Sequence, residues 1–396
     1  MNVAILLDNN VSKVQTTIFE NALKSNTYNK LINFTVFVGE KNKSDVSNIY
    51  LNKRFLTHKK EFLNALQNPR IGINRLIKNK FSRLDFYYFS LKKELNSYDV
   101  VYTQDISRSL YTISELKKFF NYKIVVRWWE TIPYKWLFNE KDTYIAQNSL
   151  DKIDIFIPAT EKAKNSLILN GIPEDKIVHI YPTIDTEKFI PSTDSSKIIF
   201  YKNKFSIPDD KLVILFVGRL VTHKGIYSLL WASKILEKMS ILRKLIFVIV
   251  GDGGQKELFK KMIRDMNLTN NFVFTGKIPY NEMPFIYNIS DIFILPSTMK
   301  VNIQEQIPYA IIEALACGKP VIGSYVGGIP EAIGDAGIIV PPGDYCQLAE
   351  AIKYLLDNEK LRIELSIKAR ERAEKIFSCK INTPKMISLL LNLNKK

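Results

Sequence analysis

Apolar runs of about four to six residues alternate with longer amphipathic stretches along most of the chain, the pattern of buried strands separated by helices. In the first half the runs are Val3–Leu7, Phe34–Val38, Val100–Thr103, Ile124–Trp128, Ile155–Ile157 and Val178–Ile180. In the second they are Val213–Val217, Ile246–Val250, Phe272–Thr275, Ile292–Leu295, Val321–Gly323 and Ile338–Val340. Strands that alternate with helices predict parallel sheets covered by helices. Between the halves, Pro191-Ser192-Thr193-Asp194-Ser195-Ser196 is small, polar and aperiodic, which predicts a linker. Two domains are therefore expected, over residues 1–190 and 197–375, followed by a terminal segment over 376–396. Leu361 to Phe377 and Met386 to Leu393 have helical spacing, and Pro384 predicts a break between them.

Candidate chemistry gathers in the second half. The run ending at Val217 leads into Gly218-Arg219-Leu220-Val221-Thr222-His223-Lys224-Gly225. Arg219 can grip phosphate oxygens as a planar fork, Lys224 adds a point charge, and the glycines allow close backbone approach. Pro296-Ser297 follows later, then Glu305 and Glu313. Pro308 suits the first turn of a helix that carries Glu313 and ends near Gly318, which would aim the N–H groups of Tyr309 and Ala310 at an anion. Two cations and a helix N-terminus together suggest a diphosphate.

These residues resemble a known family. Gly218-Arg219-Leu220 with Lys224-Gly225, Glu305 and Glu313 before Ala314-Leu315-Ala316-Cys317-Gly318-Lys319-Pro320, and Gly327-Gly328-Ile329-Pro330-Glu331 look like the retaining nucleotide-sugar glycosyltransferases of group 1, family four. The resemblance extends upstream through Ile180 to Phe189 and covers most of residues 150–378. It implies the GT-B fold: two Rossmann-like domains whose parallel sheets face across a cleft, with a C-terminal helix crossing back to the first. By the same resemblance Glu313 accepts hydrogen bonds from ribose hydroxyls, and Glu305 meets the donor sugar. Gly251 and Gly253 form the glycine turn at the nucleotide, and the backbone of Lys277 and Ile278 reads the base edge. Arg219 and Lys224 would stabilise the departing diphosphate, with no cofactor or metal beyond the nucleotide-sugar co-substrate.

The first half departs from the family at two turns. Asp8-Asn9-Asn10 replaces a Gly-Gly turn, and Trp128-Trp129-Glu130 stands where many members have a histidine. Glu130 is the nearest ionisable substitute; it suits a proton acceptor, a ligand of the donor sugar or a helix N-terminal charge. His58, His179 and His223 lie elsewhere.

Composition narrows the setting. With 396 residues, 46% hydrophobic and 24% charged, the chain reads as two globular cores. No apolar run approaches the ~20 residues of a membrane helix. The start at Val3-Ala4-Ile5-Leu6-Leu7 lacks the features of a secretion signal, and Cys317, Cys346 and Cys379 form no disulfide or zinc pattern, so a cytoplasmic setting is expected. The net charge of +16 favours anionic partners. Residues 51–93 interleave Lys53, Arg54, Lys78, Lys80, Arg83 and further cations with Phe55, Phe62, Phe81 and Phe89, which suits an anionic membrane surface and a lipid-linked acceptor. The leading expectation is transfer of a sugar to a glycan or lipid-linked acceptor. A nucleotide-sugar epimerase or a synthase of a small saccharide is the enzymatic alternative. A basic nucleic-acid-binding protein is the other, against which stands the absence of an aromatic-basic recognition motif.

Overall fold

A computed structural model of the protein describes residues 1–7, 19, 31–39, 52–56, 95–192, 194–299 and 305–393. It divides into two compact units, Met1–Thr183 with Asn382–Lys396, and Ile184–Ile381.

The first unit is built on a parallel sheet of β1 (Asn2–Leu7), β2 (Asn33–Gly39), β3 (Asn52–Leu56), β4 (Val100–Gln104), β5 (Lys123–Trp128) and β6 (Ile155–Pro158), ordered β3-β2-β1-β4-β5-β6. Helices α1 (Arg108–Leu116) and α2 (Glu140–Ser149) connect the later strands, and α3 (Glu161–Leu169) follows β6. Alternate side chains divide between the two faces, because the strand period is two. Val3 and Ile5 enter one apolar cluster with Val100 and Tyr102, while Ala4 and Leu6 enter another with Val101, Leu110 and Trp128.

The second unit repeats the plan with β7 (Leu212–Val217), β8 (Leu245–Val250), β9 (Phe272–Gly276), β10 (Ile292–Leu295), β11 (Val321–Ser324) and β12 (Gly337–Val340), ordered β12-β11-β10-β7-β8-β9. All six residues of β8 are buried, as expected of a strand covered on both faces. Its helices are α4 (Ser195–Lys204), α5 (Ile226–Lys238), α6 (Lys256–Asp265), α7 (Met283–Asn288), α8 (Tyr309–Ala316), α9 (Ile329–Ile333), α10 (Tyr345–Asp357) and α11 (Glu359–Arg372). In both sheets the first and fourth strands of the unit lie side by side, so the chain winds outward in opposite directions from that pair. This is the Rossmann order, and it opens a crevice beyond the C-terminal ends of the two central strands.

Several of these expectations change. Val178–Ile180 is no strand: Val178 N–H donates to Phe156 O at 2.9 Å, but the Ile180 carbonyl is taken by Arg127 Nη1 at 2.6 Å instead of a neighbouring strand. The sixth strand is β3, which contains Lys53 and Arg54, so the basic stretch begins inside the sheet; residues 57–94 lie outside the described residues. The residues expected to form a linker contribute the start of α4, where Asp194 accepts from Lys197 N–H.

The units meet in sequence at 183/184 and 381/382 instead of 191–196 and 375/376. Arg370 explains the first shift, since its guanidinium binds the carbonyls of Thr186, Phe189 and Ala316 and so ties 186–189 to the second unit. Ile184 N–H donates to Phe377 O at 2.8 Å and its carbonyl accepts from Cys379 N–H at 3.0 Å. That bridge interrupts the terminal helices at Ser378, whereas Pro384 lies inside the continuous helix α12 (Cys379–Leu393). Met386, Ile387 and Leu390 of α12 are buried among Val3, Ile5 and Val100, which returns the end of the chain to the first unit.

Candidate active site

The crevice of the second unit lies between the segments that follow β7 and β10. After β7 the chain forms a short turn, Thr222–Lys224, closed by Gly225 at φ +73°, from which α5 departs. A Cβ on Gly225 would lie 1.8 Å from the Pro296 carbonyl oxygen, so only glycine permits this contact with the segment after β10. Thr298 N–H donates to His223 O at 2.9 Å across the same seam. On the other side, Gly218 N–H and Leu220 N–H donate to Val250 O and Asp252 O, both at 3.0 Å. Gly251 N–H in turn reaches Gly276 O at 2.9 Å, which places Gly218, Gly251, Gly253 and the Gly276-Lys277-Ile278 corner in one row of turns.

Lys224 and Glu305 are brought together: Nζ lies 2.6 Å from Oε1, with the side chains 16% and 12% exposed. The same oxygen accepts from Ser297 Oγ at 3.2 Å. Ser324 Oγ donates to the Ser297 carbonyl at 2.5 Å, tying the ends of β10 and β11. Arg219 is exposed, and no carboxylate among the described residues pairs with it. One cation is therefore neutralised within the protein and the other is presented to solvent.

Glu313 sits apart from this cluster. Pro308 takes the position immediately before α8 rather than its first turn, with Tyr309 and Ala310 opening the helix. Glu313 lies in the helix interior, buried, and accepts from Tyr287 Oη at 2.6 Å. Burial pushes its carboxyl up to about 7, against the hydroxyls of Tyr287 and Tyr280 and the charge of Lys188, which favour the ionised form. Lys188 Nζ stands 4.4 Å from the centre of the Tyr280 ring. Burial and Glu313 raise both tyrosines above their ordinary range. The motif of two glutamates thus yields one carboxylate facing a lysine and one enclosed by phenols. Tyr280 and Tyr287 carried no sequence signal, since aromatic residues at these spacings read as core; Lys188 lies in the stretch Ile180–Phe189 that carries the resemblance, but its place beside Glu313 was not legible there.

In the first unit, Glu130 Oε1 accepts from the N–H groups of Thr131 and Ile132, both at 2.9 Å, and Oε2 pairs with Lys135. The element that follows is the short turn Lys135–Phe138 and not an α-helix, so the reading of Glu130 as a helix N-terminal charge does not hold. Beside it lies Asp105, which the sequence reading passed over. Asp105 follows β4 at φ +41°, and its Oδ1 accepts from Trp129 N–H at 2.7 Å. Burial first, and then the neighbouring Glu130, push its carboxyl up to about 7. His179 pairs with Glu161 at 2.6 Å, away from these groups in sequence and contact; His58 and Asp8-Asn9-Asn10 lie outside the described residues.

Two parallel-sheet units of Rossmann order are the architecture of the GT-B class of fold. Residues 197–372 match the family model described as glycosyl transferases group 1, the group that the motifs resemble. A D-inositol 3-phosphate glycosyltransferase of Corynebacterium aurimucosum is 29% identical over 235 residues, 58% of this chain and 54% of that protein. A 2-deoxystreptamine glucosyltransferase of Streptomyces kanamyceticus is 31% identical over 160 residues, 40% of each chain. The chain spans 35% to 54% of the length of such curated relatives. Anabaena HepE in complex with UDP and glucose shares the fold, with a TM-score of 0.78 over 98% of this chain and 99% of that one at 17% identity.

Proposed function

We propose that this protein transfers a sugar from a nucleotide-diphosphate sugar to a glycan or lipid-linked acceptor, with retention at the anomeric carbon. The observation that carries the reading is the crevice of the second unit, where Lys224, Glu305 and Ser297 converge beside an exposed Arg219. The group 1 match over residues 197–372 supports the reaction class. As the anomeric bond breaks, charge develops on the diphosphate, and donors fixed in advance at that position stabilise it most effectively. Arg219 and Lys224 take that role, with the backbone at Tyr309 and Ala310. Glu305 holds sugar hydroxyls, since a carboxylate accepts from two donors at once. Glu313 serves the ribose, and Gly251, Gly253, Lys277 and Ile278 the rest of the nucleotide. Asp105 and Glu130 belong to the acceptor side.

A panel of UDP-, GDP- and ADP-sugars screened by thermal stabilisation tests this reading, because a ligand bound only by the folded state raises its stability. A matching donor is expected to raise the melting temperature in proportion to the logarithm of its concentration; no shift with any donor would reject the assignment.

The diphosphate charge is met by side-chain cations, and among the described residues no group of three His, Cys, Asp or Glu side chains is placed to hold a metal ion. Turnover is accordingly expected to persist in chelator. Loss of activity that magnesium or manganese restores would contradict it.

Membrane contact is the lipid-side part of the proposal. The proposal is of peripheral contact; no helix among the described residues is long and apolar enough to cross a membrane. The basic, aromatic stretch from Lys53 to Lys93 suits anionic lipid, each cation near the surface adding about 1 kcal/mol. Replacing Lys78, Lys80 and Arg83 together with glutamine is expected to reduce co-sedimentation with anionic vesicles while sparing transfer to a soluble acceptor. Equal sedimentation of variant and parent would remove this part of the proposal.

A further inference from the structure

We propose that Glu305 is a latch on Lys224, released by the sugar of an incoming donor and re-formed against the free nucleoside diphosphate, so that one ion pair favours donor over spent leaving group. The inference rests on the reading of this crevice as a diphosphate-sugar site.

The pair is held from both sides by backbone that has little room to withdraw. Lys224 precedes Gly225, which is pressed against the Pro296 carbonyl, and His223 O is bound by Thr298 N–H. Glu305 O accepts from Gly328 N–H at 2.9 Å, and a Cβ on the adjacent Gly327, at φ +56°, would lie 1.5 Å from that same oxygen. Lys224 Nζ and Glu305 Oε1 therefore meet at 2.6 Å with both side chains mostly withdrawn from water, where an ion pair is screened less than on the surface. Arg219, five residues earlier on the same segment, has no such partner among the described residues.

A diphosphate that engages Lys224 must take it from Glu305 and leave that carboxylate beside negative phosphate oxygens. Ser297 Oγ is its one other side-chain donor among the described residues. A sugar on the diphosphate changes the balance, because its hydroxyls donate to Glu305 and replace the lysine. Once the sugar has been transferred, those donors are gone. Glu305 then competes again for Lys224, which weakens the hold on the free diphosphate and promotes its release. The deciding chemistry is thus a competition between sugar hydroxyls and an internal ammonium for one carboxylate.

Inorganic pyrophosphate is the probe, since it needs no knowledge of base or sugar. Calorimetric titration at fixed ionic strength would compare the parent with Glu305→Gln, Glu305→Asp, Lys224→Met and the Lys224→Met/Glu305→Gln double variant. Freeing the lysine is expected to tighten pyrophosphate binding by about tenfold in Glu305→Gln, the equivalent of one partly buried ion pair. The shorter Glu305→Asp should show a smaller gain, and provides the test should Glu305→Gln fail to fold. In the Lys224→Met background the gain from Glu305→Gln should shrink to the smaller part that comes from relieved charge repulsion. Equal binding by parent, Glu305→Gln and Glu305→Asp would overturn the latch. A gain of the same size without Lys224 would reduce it to simple charge repulsion and overturn it equally. Pyrophosphate binding unchanged by both Lys224→Met and Arg219→Ala would instead reject the diphosphate site itself.

Discussion

Alanine at Arg219 is expected to lower donor-saturated turnover by about a hundredfold or more while leaving the melting temperature unchanged. The rate effect follows from the loss of one fixed donor to a developing negative charge, worth about 3 kcal/mol in comparable sites. The intact stability follows from its surroundings: Arg219 is exposed, and no carboxylate among the described residues depends on it. Lys224→Ala should reduce turnover on a similar scale but behave differently as a folded protein. It strips Glu305 of its partner in a position only 12% exposed, so a measurable loss of stability should accompany the loss of rate. Steady-state kinetics and thermal melts on the two variants separate these outcomes. Near-normal turnover in both would remove the phosphate assignment, whereas an equal stability loss in both would mean that Arg219 has a structural partner.

Much of the second unit was legible because its signals are local. A buried strand running into Gly218-Arg219-Leu220, a proline ahead of a short helix and a glycine after it each name a backbone conformation, and neighbouring strands then bring the turns into line. The contact between Lys224 and Glu305 joins residues after the first and fourth strands of that sheet, which only the Rossmann order makes neighbours. Glu313 shows the limit of motif reading. Spacing places it on a helix but says nothing of Tyr280 and Tyr287, which enclose it from the segment after β9 and from α7.

The first unit was less legible. Val178–Ile180 has the composition of a strand, yet its backbone is engaged by an arginine side chain, a tertiary contact that overrides β propensity. Asp105 escaped notice for a related reason. An aspartate after a strand is an ordinary turn residue until its neighbours, here Trp129, Glu130 and Lys135, are known.

The enclosure of Glu313 has a thermodynamic consequence that can be measured without a substrate. Its carboxyl is raised from 4.5 to about 7 by burial, so between those values the unfolded chain releases a proton that the folded protein keeps. The unfolded state then binds fewer protons, and stability must fall as pH rises through that window, with the full penalty present above about pH 7. A shift of this size corresponds to about 3 kcal/mol. Glu313→Gln removes the titration while keeping an oxygen that can accept from Tyr287. The variant is expected to be less sensitive than the parent to a change from pH 5 to pH 8, and the more stable of the two at pH 8. Guanidinium unfolding at both pH values, followed by hydrogen exchange of the α8 amides, assigns the transition to the second unit. Asp105 pushes the parent in the same direction from the first unit, but it is common to both proteins and cancels in the comparison. An identical pH dependence in parent and Glu313→Gln would mean that Glu313 is ionised in the folded state, held by more favourable interactions than its two tyrosines and Lys188 provide.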